Sequence, residues 1–124
     1  MTNSAPPNLV AAIEATVHRV LEKLASELAD LGLTHGEVNA VAQLEPGAPV
    51  TIAELLSATG QRASTLTGVL DRLERRGLVE RELNPLDRRS FTVTLTKPGA
   101  VAAERVRRTF RDIEARVLAA VPQR

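Results

Sequence analysis

Between Leu9 and Leu31 the apolar positions fall at Val10, Ile13, Val17, Val20, Leu24, Leu28 and Leu31, in steps of three and four. That spacing keeps one helix face apolar and predicts a long amphipathic helix over residues 9–31, stopped by Gly32. In "THGE", Thr34 can cap a helix start while Glu37, three residues on, reaches back to the cap's amide. A short helix follows to about Leu44, where "EPGAP" breaks it. "TIAE" repeats the device with Thr51 and Glu54 and opens a second short helix ending near Ala58. After Thr59-Gly60 a third helix begins near Arg62, buries Leu66, Val69, Leu70 and Leu73, and stops at Gly77.

The period then changes from 3.6 to 2. "LVEREL" and "SFTVTLT" read as strands, the second alternating strictly with Phe91, Val93 and Leu95 on one face. Between them lies "NPLDRRS", residues 84–90, the tip of a hairpin. Two short helices, a tight turn, a longer helix and a two-stranded hairpin make a winged helix-turn-helix. The fold class expected is therefore mainly α with a small β-hairpin. Thr96 is placed to cap a last helix, with Pro98 in its first turn and a stripe of Ala102, Val106, Phe110, Ile113, Val117 and Val121. The organisation expected is an N-terminal arm over 1–8 and one winged-helix domain over 9–124. Within it, helices 9–31 and 97–121 flank a lobe over 33–96 whose wing is 78–96.

Both terminal helices carry apolar stripes longer than so small a lobe can cover. Packing on each other and on a second copy, as a twofold homodimer, covers them. A monomer with the two helices paired is the simpler alternative.

Composition removes several chemistries. With no cysteine there is no disulfide, thiolate metal site or thiol redox switch. Only two histidines, His18 and His35, are present, with no metal-ligand spacing and no glycine-rich phosphate loop. His18 is expected to pair with Glu14 or Glu22 at helical spacing, and His35 to decorate a first helical turn. No enzyme activity, cofactor or metal is expected. The longest apolar runs are too short for a bilayer, and "MTNSAPPN" does not read as a signal peptide, so the expected location is cytoplasmic.

The net charge of +1 conceals a division. Residues 1–61 hold two bases against seven acids, net −5, and residues 62–111 hold twelve bases against six acids, net +6. Such asymmetry suggests one face turned toward a polyanion.

The run "LTHGEVNAVAQL…TIAELLSATGQRASTLTGVLDRLERRGLVEREL…DRRSFTVTLTKPGA" resembles the multiple-antibiotic-resistance regulator (MarR) family of bacterial repressors, over about residues 33–100. "LDRLERRGLVER", then Asp-x-Arg-Ser, then "LT" before Pro-Gly is far more specific than a generic helix-turn-helix. The resemblance implies a winged-helix homodimer that binds pseudo-palindromic double-stranded DNA and is often relieved by a small effector. It implies that Arg89 reaches the minor groove and that Asp87 orients the wing's arginines, with Arg81 as the expected partner of Asp87.

The residues bear this out by their own chemistry. Opposite the buried stripe of the third helix stand Ser64, Thr65, Thr67, Gly68, Asp71, Arg72 and Arg75. Small hydroxyls near a helix start bring backbone close to base edges and phosphates, and arginines one and two turns on suit the phosphate backbone. Arg72 can instead pair with Asp71 or Glu74, and Arg75 and Arg76 can be ordinary helix decoration. A hairpin tip is narrow enough for the minor groove, where negative potential favours arginine. The DNA-contacting set expected is Arg62, Ser64, Thr65, Thr67, Arg72, Arg75, Arg81, Asn84, Asp87, Arg88 and Arg89. The family often has Ser at the place of Arg62 and Arg at those of Ala63 and Gly68, which shifts weight to the wing and to Arg62. It also commonly has a further helix where "VPQR" stands here, so the two terminal helices alone would make the dimer interface. A winged-helix module that binds an acidic protein is the alternative. The effector, if any, is not specified by the sequence.

Overall fold

The computed structural model describes residues 8–120. The order of elements is α1 (Leu9–Glu27), a 3-10 turn (Ala29–Leu31), α2 (His35–Ala42), β1 (Val50–Thr51), α3 (Ile52–Thr59), α4 (Ala63–Arg75), β2 (Val79–Asn84), β3 (Asp87–Leu95) and α5 (Lys97–Ala120). The expected arm falls almost wholly outside the described residues. Asn8, its last member, caps α1 by accepting from the amide of Ala11 at 3.1 Å.

Both capping boxes form. Thr34 Oγ1 accepts from the amide of Glu37, whose carboxylate accepts from the amide of Thr34, and Thr51 and Glu54 repeat the pattern. The first helix is shorter than expected, because α1 ends at Glu27 and the chain continues as a 3-10 turn to Leu31. Gly32, at φ 63°, ends that turn. An apolar step from Leu28 to Leu31 fits a turn of either helix type, so spacing alone does not mark where one gives way to the other.

The sheet has three strands, one more than the expected hairpin. Val50 and Thr51 pair with Val93 and Thr92, giving the antiparallel order β1-β3-β2. In the wing itself Val79 faces Leu95, Arg81 faces Val93, and Leu83 faces Phe91. These three pairs share one face, and it runs out of cover along its length. Val79 and Val93 are buried, whereas Leu83 and Phe91 overhang the lobe and are exposed.

The core gathers one stripe from each element: Leu24 and Leu28, Val38, Val41 and Leu44, Leu55, the α4 quartet Leu66, Val69, Leu70 and Leu73, and Val106 of α5. Three arginines fasten α5 and α4 to their neighbours. Arg105 grips Asp30 with both Nη groups, at 2.7 and 2.9 Å, which holds that carboxyl below its usual range. Arg107 donates to the carbonyl of Leu44 at the end of α2. Arg76 donates to the carbonyls of Leu31 and Gly32, at 2.7 and 2.9 Å.

Thr96 caps α5 as expected, accepting from the amide of Gly99 at 3.1 Å while donating to the carbonyl of Gly77 at 2.6 Å. Along the α5 stripe Ala102 and Val106 are buried, Phe110 and Ile113 are half-buried, and Val117 is exposed; Val121 lies outside the described residues. On α1 the order is reversed, with Val10, Ile13 and Val17 exposed, Val20 half-buried and Leu24 buried. Each long helix thus packs at one end only.

Candidate nucleic-acid interface

α4 starts without a side-chain cap, since Arg62 holds the cap position in an extended conformation, and Arg62 is exposed. Ser64, Thr65 and Thr67 are exposed on the first turns, opposite Leu66 and Leu70. Thr67 Oγ1 donates back to the carbonyl of Ala63 at 3.0 Å, which leaves its lone pairs outward. Gly68 is half-buried, and the helix surface there is bare backbone.

The arginines of the expected set divide by their partners. Arg62, Arg75 and Arg88 are exposed and make no ion pair among the described residues. Arg89 is 95% exposed and stands 3.8 Å from Asp87. Arg72 is tied to α2: its Nε donates to Glu37 Oε2 at 2.6 Å. Neither Asp71 nor Glu74 holds Arg72.

Those two carboxylates are taken by Arg81. Its Nη2 lies 2.6 Å from Asp71 and 2.8 Å from Glu74. The hydrogen bonds it donates to Glu74 and then to Asp71 raise its pKa above the ordinary arginine value, against burial. The expected pairing of Arg81 with Asp87 is therefore not formed. Arg81 sits opposite Val93 at the root of the wing, against α4, whereas Asp87 sits opposite Asn84 at the tip. The ladder that spaces them also separates them. Arg81 instead locks the wing to α4.

The tip is shaped by its own side chains. Asn84 Oδ1 accepts from the amide of Leu86 at 3.0 Å, and Asn84 Nδ2 donates to Ser90 Oγ at 3.2 Å. Asp87 Oδ1 accepts from the amide of Arg89 at 3.0 Å. Short side-chain-to-backbone bonds of this kind fix a turn without strand pairing. Arg88 and Arg89 follow that turn at the start of β3, between the paired Asp87 and Phe91, and are exposed.

Glu37 was legible from sequence only as half of a capping box. It is 3% exposed, and its two oxygens serve Thr34 and Arg72. Burial pushes its pKa up, but the hydrogen bonds from Arg72 and Thr34 outweigh that and lower it, so the carboxylate stays charged. Away from this surface, His18 pairs with Glu22 at 3.7 Å and His35 is exposed. The described residues contain no group of three His, Cys, Asp or Glu arranged to hold a metal ion. No described helix is long and apolar enough to cross a membrane.

A family model described as "MarR family" matches residues 31–90, from the 3-10 turn to the wing. The structure of a cysteine-to-serine mutant of Escherichia coli MarR complexed with operator DNA superposes with a TM-score of 0.79 at 26% identity, covering 94% of this chain and 84% of that one. The chain belongs to the MarR family. Among MarR relatives and other regulators, it is 26% identical over 106 residues to the HTH-type transcriptional repressor MdtR of Bacillus subtilis, covering 86% of this chain and 68% of MdtR. It is 31% identical over 83 residues to YcgE, an uncharacterized HTH-type transcriptional regulator of the same organism. That match takes in 67% of this chain, and the chain spans only about half of YcgE, 52% of its length. Helix α4 presents its outer face and the β2–β3 wing its tip to solvent here.

Proposed function

We propose that this MarR-family chain is a transcriptional repressor that binds a pseudo-palindromic operator as a twofold homodimer. Residues 62–76 enter the major groove and the wing tip, 84–90, lies at the minor groove. The observation that carries this is the exposure of four arginines on α4 and the wing. Asp71 and Glu74 of α4 are taken up by Arg81, while Arg62, Arg75 and Arg88 are exposed with no ion pair among the described residues and Arg89 is 95% exposed beside Asp87. Exposed guanidiniums beside exposed Ser64, Thr65 and Thr67 have the chemistry of a phosphate track flanking a reading helix. That a MarR protein has been crystallised with operator DNA, and that MdtR is named a repressor, support the same reading. A small-molecule effector would fit the family, but no built effector site stands out.

The test is affinity for duplex DNA against salt concentration. Each neutralised phosphate contributes about −0.9 to the log–log slope, so a dimer that neutralises eight phosphates with four exposed arginines per chain should give a slope of about −7. Footprinting should show half-sites centred about 10 bp apart. A flat salt dependence, with retained binding to an acidic protein, would favour the protein-interaction alternative.

The uncovered helix ends support the dimer. Leu9, Val10, Ile13 and Val17 of α1 are at least half exposed, as is Leu118 of α5. An apolar cleft of about 280 Å³ between the two helices, lined by Val20, Phe110, Ile113 and Val117, lies open beside them. Exposed apolar faces of this extent mark association surfaces. Analytical ultracentrifugation at about 10 μM should give about twice the 13.3 kDa chain mass. A clean monomer at that concentration would refute the twofold arrangement.

A further inference from the structure

Arg72 is exposed yet not free. Its Nε is held at 2.6 Å by Glu37 Oε2, and Glu37 is itself buried and bonded through Oε1 to the amide of Thr34 at 3.1 Å. A carboxylate fixed at both oxygens removes most of the rotamer freedom that a surface arginine would otherwise keep. Helical side chains lean toward the N-terminus, so Arg72 lies over the turn that contains Gly68. The space confirms it: a Cβ on Gly68 would stand 3.3 Å from Arg72 Nη1. Gly68 is on the side of α4 opposite Leu66, Leu70 and Leu73, midway between the exposed hydroxyls and Arg75.

Glu37 uses only the Nε position. The Nη1 and Nη2 pair makes no hydrogen bond among the described residues. From this we infer that Glu37 is a positioning residue that sets Arg72 across Gly68 as the base-reading arginine of α4. Its two Nη groups are presented to the N7 and O6 acceptors of a guanine in the major groove. The inference rests on the DNA-binding reading above and adds to it which side chain reads a base. Phosphates tolerate a mobile point charge and are served by Arg62 and Arg75. A guanine edge needs a planar fork at one angle, which a buried carboxylate provides and a lysine cannot replace. The bare backbone at Gly68 lets that fork lie flat against the helix rather than prop it away from the base pair.

Duplexes selected from a random-sequence pool should be sequenced for the parent chain and for Arg72→Lys, Glu37→Gln and Gly68→Ala. Affinities for the selected duplex and its single-base-pair variants are then measured at one salt concentration. The parent is expected to prefer one G·C pair in each half-site by about tenfold or more. Arg72→Lys keeps the charge on an exposed site and should abolish that preference, while binding to unrelated duplex changes by less than about threefold. Glu37→Gln should lose the same preference without touching DNA, an effect that mere destabilisation would not confine to one base pair. Should Glu37→Gln fail to fold, Gly68→Ala decides, because its Cβ would stand 3.3 Å from Nη1 and push the fork off its present angle, which should shift preference at that same pair. Equal weakening on every sequence by Arg72→Lys would make Arg72 a phosphate contact and overturn the inference. So would unchanged base preference in either of the other two folded variants. If the parent chain itself binds no duplex, the DNA-binding reading fails along with it, whereas loss confined to the variants' preferences leaves that reading standing.

Discussion

Gly99→Ala is expected to lower the melting temperature by about 10 °C, corresponding to about 3 kcal/mol for a chain of this size. Helix propensity alone predicts the opposite, since alanine is favoured over glycine by about 1 kcal/mol inside a helix. The geometry decides the sign. A Cβ at Gly99 would fall 1.8 Å from the carbonyl oxygen of Leu78 and 2.8 Å from its carbon. Both are backbone, and that carbonyl is fixed because it accepts from the amide of Thr96 at 3.1 Å. Neither partner can rotate away as a side chain would. Relief requires α5 to back off from the root of the wing, which disturbs Thr96, the cap that joins α5 to Gly77. Thermal denaturation at a fixed chain concentration measures it, because the midpoint of an associating chain depends on concentration. An unchanged or raised midpoint would mean that the α5–wing junction is looser than its contacts imply.

Gly99 was invisible in the sequence for the reason that makes it sensitive: its partner is a carbonyl brought there by tertiary folding. The readable parts are those decided within a few residues. Thr34 with Glu37, and Thr51 with Glu54, are local pairs, so both helix starts could be placed from spacing. The buried quartet of α4 and the alternation ending at Val93 and Leu95 were legible because one side of each element faces the core. β1 was not, since two residues are too few to show a period and their pairing is to a strand more than forty residues on. The pairings of Arg72 with Glu37 and of Arg81 with Glu74 and Asp71 also escaped, because any of several acids satisfies a charge count.

That last point changes how the basic segment is understood. A net +6 over residues 62–111 overstates the cationic face, since several of its arginines hold the protein together. Arg76 and Arg105 tie the 3-10 turn after α1 to α4 and α5, Arg107 closes α2, and Arg81 braces the wing. What remains outward is a smaller set, which includes the two wing arginines Arg88 and Arg89.

Arg89→Ala should weaken operator binding by about 1–3 kcal/mol, the range for a specific nucleic-acid contact, and Asp87→Ala should weaken it as well. For Asp87 two accounts differ in sign. Deleting a negative charge beside DNA predicts tighter binding by simple electrostatics. Asp87, however, accepts from the amide of Arg89 at 3.0 Å and stands 3.8 Å from its guanidinium, so it shapes the turn that carries the arginine. If that role dominates, alanine frees the tip and the entropy of ordering Arg89 falls on the binding step. Asp87→Asn separates the two effects, because the amide oxygen can still accept from Arg89 while the charge is gone. Binding as tight as the parent's or tighter for Asp87→Asn, with weaker binding for Asp87→Ala, is the expected result. Titration of operator DNA at one fixed salt concentration measures both, with circular dichroism confirming the fold. Asp87→Ala binding as well as the parent would show that the wing arginines need no orienting carboxylate, and that Arg89 reaches DNA as a free side chain.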